Sequence, residues 1–274
     1  MPMKDLMNND LSVLKEKKLY LLDMDGTIYL GNQLFPCTLP FLKRIKDKGG
    51  RYLFITNNSS KSVSSYVDKL HSLGITEVTE KDFFTSSQAS ERLMKEKFGD
   101  DLLYVQGTKS FVKELKEFGL NVTEEYDDSA KAVLVGFDSE LNMEKMIKTC
   151  KMLTFHPDIP YFATNPDWVC PTEWGYIPDC GSMCFSYNKA TGRMPEFIGK
   201  PSSRMIDLAV KMTGYRKEDT VVIGDRLYTD IASGNHAGVT TICVLSGEVK
   251  KEEVLKATGA EKPTLLVDDL SSVF

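Results

Sequence analysis

The chain has 274 residues, 42% of them hydrophobic and 27% charged, a balance that excludes a disordered chain and supports a buried core without disulfide or metal staples. With 34 Lys and Arg against 39 Asp and Glu, the net charge of −5 has the wrong sign for gripping nucleic acid or an anionic membrane through basic patches. The length falls between one domain and two.

The N-terminal segment has no apolar stretch of signal-peptide length. No apolar run approaches the ~18 residues of a membrane span, so a cytoplasmic protein is expected. In chain order, residues 19–22 form a short apolar run that reads as a buried strand. Residues 40–48 read as a helix stopped by Gly49 and Gly50, and residues 51–56 as a strand. Residues 60–73 read as a helix capped by Ser59 or Ser60 and ended by Gly74. The alternation continues with strands at 102–105, 132–137 and 161–164 and helices at 110–118 and 143–153. It returns with a helix at 202–212, a strand at 220–223, a helix at 227–236 and a strand at 240–245. Alternating strands and helices predict parallel sheets and the α/β class.

The six cysteines, Cys37, Cys150, Cys170, Cys180, Cys184 and Cys243, form no CxxC pair and are expected to be reduced and mostly buried. Only three histidines occur, and no GxSxG accompanies them, so a histidine-dependent serine triad has no support. Trp168, Trp174 and Tyr176 are read as core aromatics in preference to lid aromatics.

Four short stretches carry chemistry. In LYLLDMDGTI, residues 19–28, an apolar strand delivers Asp23 and Asp25 at its carboxyl end. Ligands of open α/β sheets bind there, and residues two apart share one side of a strand. Two such carboxylates repel unless a cation or a shared proton intervenes, and Mg²⁺ suits an all-oxygen set. In VVIGDRLYTD, residues 221–230, a second apolar strand ends in Asp225, with Asp230 a turn into the next helix. In FITNNSS, residues 54–60, a third strand ends in Thr56, Asn57 and Asn58, a hydroxyl and amides suited to an anion cradle at a helix mouth. In IGKP, residues 198–201, Lys200 offers a fixed positive charge for a phosphate or a carboxylate. Neither GxxxxGK[ST] nor GxGxxG is present, so neither nucleotide loop is supported.

Taken in order, DMDGT, TNN, GKP and GDRLYTD resemble the four motifs of the haloacid-dehalogenase (HAD) superfamily of phosphotransferases. The stretches ATNPD at 163–167 and ATGR at 190–193 are similar to the NagD-type, p-nitrophenylphosphatase-like branch, subfamily IIA. The resemblance spans residues 19–266 without departure at the four motifs. It implies a Rossmann-like core of residues 1–85 and 194–274, interrupted by a C2-type α/β cap at residues 86–193.

It also implies roles. Asp23 would be the nucleophile that carries an aspartyl phosphate, and Asp25 the general acid and base. Mg²⁺ would be held by the Asp23 and Asp225 carboxylates and the Asp25 backbone carbonyl, with Asp230 in support. Thr56, the amides of Asn57 and Asn58, and Lys200 would neutralise the phosphoryl oxygens. Residues 165–167 would face the substrate, a small phosphorylated metabolite, and homodimers would be admitted. Two alternatives remain on the same fold class: a phosphotransferase or phosphomutase, and a phosphate-sensing domain that does not turn over.

Overall fold

The computed structural model describes residues 4–58, 62–172 and 174–273, with only the backbone of Pro171; the cap expected at Ser59 or Ser60 lies outside the described residues. Packing divides the chain into two compact units. One comprises Met1–Thr56, Val63–Phe84 and Lys200–Phe274; the other comprises Asn57–Ser62 and Thr85–Gly199. The second unit therefore takes in residues 194–199 and Asn57, which the boundary at residues 86–193 assigns to the core.

The first unit is built on a six-stranded sheet in the order Leu265–Val267, Thr240–Val244, Thr220–Gly224, Leu19–Leu22, Arg51–Thr56 and Phe83–Thr85. The Leu19–Leu22 strand pairs in parallel with both neighbours, Leu22 lying opposite Ile223 on one side and Phe54 on the other. All four of its residues are buried, as are all five of Thr220–Gly224. Such unbroken apolar runs suit strands covered on both faces, which is why the sheet is parallel and why its working edge is its carboxyl edge.

The second unit has its own five-stranded parallel sheet, ordered Glu196–Phe197, Tyr161–Ala163, Ala132–Val135, Leu103–Gln106 and Val122–Thr123. The α/β class with parallel sheets is thus what the chain forms. Most expected strands agree with the structure to within a residue or two. The expected helix at 227–236 does not hold as one piece. A π-helical turn spans Leu227–Ile231 and an α-helix follows at Ala232–Ala237. The Ile231 N–H reaches back to the Arg226 carbonyl at 3.2 Å, one residue further than an α-helix would. Such bulges cluster at functional sites, and this one carries Asp230.

Among the described residues, three α-helices carry no reading above: Ser86–Phe98, Cys180–Thr191 and the short Lys251–Lys256. Ser86–Phe98 is opened by a capping box in which the Thr85 hydroxyl accepts from the Gln88 N–H and the Gln88 side chain accepts from the Thr85 N–H. Cys180–Thr191 buries Cys180, Gly181, Met183, Cys184 and Tyr187, small or soft residues whose periodicity is faint. The antiparallel pair Val169–Thr172 and Gly175–Pro178 lies between strand and helix. Trp168, Trp174 and Tyr176 around it are 56%, 78% and 69% exposed, so the core reading of these aromatics is wrong. A two-stranded ribbon has no second layer of its own to bury them.

Glu91 is buried in the Ser86–Phe98 helix. Burial pushes its carboxyl up to about 8, and the charge of Glu114 adds to this. The native chain therefore holds a proton that the unfolded chain releases. Stability is full below the ordinary glutamate range and is lost as pH rises toward about 8. Glu91→Gln is expected to flatten that slope and to exceed the wild type by several kcal/mol, up to roughly 5, near pH 9. Urea unfolding at pH 5, 7 and 9 checks this; parallel slopes for the two proteins would count against it.

Candidate active site

Parallel pairing places the ends of the Leu19–Leu22 and Thr220–Gly224 strands side by side, and the Asp23 N–H continues the ladder to the Ile223 carbonyl at 2.9 Å. Asp23 and Asp225 are the next residues on each. The π-helical turn returns Asp230 to the same edge. One carboxylate oxygen from each of Asp23, Asp225 and Asp230 lies within 4.8 Å of the others. Asp225 is 2% exposed and Asp230 fully buried.

Lys200 is 3% exposed and donates to Asp23 Oδ1 at 2.6 Å and Asp230 Oδ1 at 2.5 Å. Burial alone would push its ammonium down, but the charges of Asp23 and Asp230 reverse this and hold it well above the ordinary lysine value. Burial, with the Asp23 charge next, raises the carboxyls of Asp225 and Asp230. Three carboxylic acids crowd one buried ammonium, with the Arg226 guanidinium also close enough to act on them, and a divalent cation would relieve the repulsion among the acids. One donor atom is ready for it. Asp225 Oδ2 accepts the Glu248 N–H at 2.7 Å, whereas Asp225 Oδ1 is buried with no partner among the described residues. The oxygen set and the charge fit a hard divalent cation.

Asp25 behaves differently from the same-face reading of the strand. The strand ends at Leu22, the chain turns, and Asp25 is exposed, outside the carboxylate cluster. Among the described residues its Oδ1 takes a long hydrogen bond, 3.4 Å, from the Gly31 N–H. The turn depends on Gly26, whose φ is +86° and where a Cβ would collide with the Asp225 carboxylate.

Thr56 closes the Arg51–Thr56 strand half-buried, and Asn58 is half-buried two residues on. Asn57 is buried, and its side chain donates to Asp167 Oδ2 at 2.9 Å. Asn165 donates to the same oxygen at 2.8 Å and to Asp179 Oδ1 at 3.1 Å. Within the second unit, residues 165–167 are therefore bound into a polar network around Asn57. Gly181 lets this segment approach, since a Cβ there would strike the Pro166 carbonyl. Sequence reasoning passed over Glu248. The signal available was its place just beyond the Thr240–Val244 strand, at the edge where the acids sit.

A buried lysine shared between carboxylates at the carboxyl edge of a parallel sheet is an arrangement suited to phosphoryl transfer. Residues 20–121 match the family model described as haloacid dehalogenase-like hydrolase, and residues 197–273 match a second HAD-hydrolase-like model. The 5′-nucleotidase YutF of Bacillus subtilis is 35% identical over 258 residues, 94% of this chain and 98% of the relative. The 4-nitrophenylphosphatase of Thermotoga maritima superposes with a TM-score of 0.86 at 36% identity, covering 95% of this chain and 97% of that one. The glycerol phosphate phosphatase of Mycobacterium tuberculosis in complex with magnesium has the same TM-score at 30% identity, covering 96% and 78%. The chain belongs to the haloacid dehalogenase-like hydrolases, among the subfamily IIA phosphatases, enzymes that hydrolyse phosphomonoesters. No helix among the described residues is long and apolar enough to cross a membrane.

Proposed function

We propose that the protein is a Mg²⁺-dependent phosphatase of small phosphomonoesters that works through an aspartyl phosphate on Asp23. The observation that carries this is the cluster of Asp23, Asp225 and Asp230 around Lys200, with Asp225 Oδ1 buried and without a hydrogen-bond partner among the described residues. The cation would be held by Asp23, Asp225 and Asp230, with the Asp25 backbone carbonyl; when bound it supplies positive charge where a carboxylate and a phosphate must meet. An all-oxygen site suits Mg²⁺, and the Mycobacterium tuberculosis relative was solved with that ion.

In the first step an Asp23 oxygen attacks phosphorus, the bond to the leaving oxygen breaks, and Asp25 gives that oxygen its proton. In the second, Asp25 takes a proton from water, the hydroxide attacks phosphorus, and Asp23 leaves with inorganic phosphate formed. Asp25 is exposed and loosely held, which suits a group that must both give and take a proton. Lys200 orients Asp23 and offsets charge on the phosphoryl oxygens, together with Thr56 and the backbone near Asn57 and Asn58. Retention of the phosphoryl group by a sensor or its return to a sugar by a mutase is disfavoured by relatives named as phosphatases and a nucleotidase.

Those relatives are named for nucleotides, sugar phosphates and glycerol phosphate, so the class common to them is the small phosphomonoester. The test is a panel of nucleoside monophosphates, sugar phosphates and glycerol phosphate, with 4-nitrophenyl phosphate as reference, assayed with Mg²⁺ and with EDTA. Activity should fall at least about 100-fold in EDTA and return when Mg²⁺ is restored in excess. Full turnover in EDTA would refute the metal dependence.

A further inference from the structure

The Asp225 carboxylate is held by a clamp that extends beyond the four motifs to Ser246, Gly247 and Glu248. Two glycines enclose it, Gly26 on one side and Gly247 on the other, and a Cβ at either would collide with Asp225 Oδ2. The two glycine-bearing loops are joined by the Ser246 hydroxyl, which donates to the Gly26 carbonyl at 2.7 Å. The Glu248 N–H then takes Asp225 Oδ2 at 2.7 Å, leaving Oδ1 as the oxygen without a partner.

The side chain of Glu248 reaches back to the segment that follows Asp225. Its Oε2 lies 2.8 Å from Arg226 Nε, and its Oε1 accepts from the Tyr228 hydroxyl at 3.2 Å. The backbone of Glu248 thus holds Asp225, while its side chain holds the segment that follows Asp225. A carboxylate free to rotate would exchange its two oxygens and lose part of any cation affinity to that motion. A neighbour that fixes one oxygen removes the freedom beforehand.

We infer that Glu248 is a positioning residue for the divalent cation: its side chain latches the loop whose backbone N–H fixes Asp225 with Oδ1 presented to the ion. This rests on the proposal that Asp23, Asp225 and Asp230 bind that cation. Because any substitution at 248 except proline retains the backbone N–H, the inference concerns the latch alone. The ion pair is half-exposed, so the expected effect sits at the low end for groups that orient metal ligands.

The test is calorimetric titration of Mg²⁺, and separately Ca²⁺, into the wild type, Glu248→Ala, Glu248→Gln, Tyr228→Phe and Asp225→Asn, with thermal unfolding in EDTA for each. Glu248→Ala should bind either ion about tenfold more weakly, with a melting temperature in EDTA close to the wild type. Glu248→Gln, whose amide oxygen still accepts from Tyr228, should fall between the two. In the Mg²⁺ dependence of phosphatase activity, the half-saturating concentration should rise about tenfold in Glu248→Ala while kcat at saturation stays within about twofold. Loss of binding in Asp225→Asn with wild-type affinity in Glu248→Ala would overturn the latch and leave the metal site standing. Absence of binding in the wild type would overturn both. If Glu248→Ala proves unstable, Glu248→Gln and Tyr228→Phe decide: wild-type affinity in both overturns the latch.

Discussion

Replacing Asp23 by asparagine is expected to lower kcat on 4-nitrophenyl phosphate by roughly four orders of magnitude with the fold intact. An amide oxygen of the same shape occupies the end of the Leu19–Leu22 strand but does not form the bond to phosphorus. The remaining groups still bind and polarise the ester, so a residual rate above that of water should persist. The structure also sets the stability side. Asp23 is one of three carboxylates that repel one another, and its removal leaves the Lys200–Asp230 pair at 2.5 Å in place. Melting in EDTA should therefore be unchanged or higher. Asp23→Glu, which moves the carboxylate by one methylene, should also lose most activity, because attack depends on placement within about 1 Å. Activity within tenfold of wild type in Asp23→Asn would remove Asp23 from the role of nucleophile.

Lys200→Met carries the second large effect, and here stability and activity fall together. Lys200 is the buried cation between Asp23 and Asp230; methionine matches its length without its charge. Taking one partner from a buried ion pair typically costs about 3–5 kcal/mol, because the other charges remain buried and uncompensated. The loss should appear as a lower urea midpoint in EDTA and should be partly restored by Mg²⁺. Turnover should drop roughly 100-fold or more if, as proposed, Lys200 also offsets charge on the phosphoryl oxygens. The double variant Asp23→Asn with Lys200→Met should recover part of the stability, as expected when one substitution removes the repulsion the other exposed. Additive losses would mean that Lys200 does not offset the Asp23 charge in the folded chain.

Much of this site is legible in the amino-acid order because strand ends are. An apolar run followed at once by Asp, as at Leu22 and Asp23 or Gly224 and Asp225, fixes both the element and the edge to which the acid points. Asp25 shows the limit of that reasoning. The two-residue period of a strand applies only while the strand lasts, and it stops at Leu22. Asp230 is placed by a π-helical turn, which hydrophobic periodicity cannot distinguish from an α-helix over five residues. Glu248 carries no sequence mark of its own; its backbone, not its residue type, touches Asp225. The Cys180–Thr191 helix was illegible for another reason. Its buried face mixes Cys180, Gly181, Met183 and Cys184 with a single large residue, Tyr187, and Gly181 fits close against the segment at Pro166.

The pairing of Leu19–Leu22 with Thr220–Gly224 also governs the order of events during synthesis. The first strand leaves the ribosome about 200 residues before its partner, an interval of about 10 to 40 s at ordinary elongation rates. Throughout it, Asp23 has no Asp225 beside it, and for most of it no Lys200 to meet its charge. The five strands from Leu103 to Phe197 are complete sooner and can pair among themselves. The nascent chain thus finishes its second unit while the six-stranded sheet still lacks the strands on one side of Asp23, and the carboxylate cluster can assemble only near the end of translation.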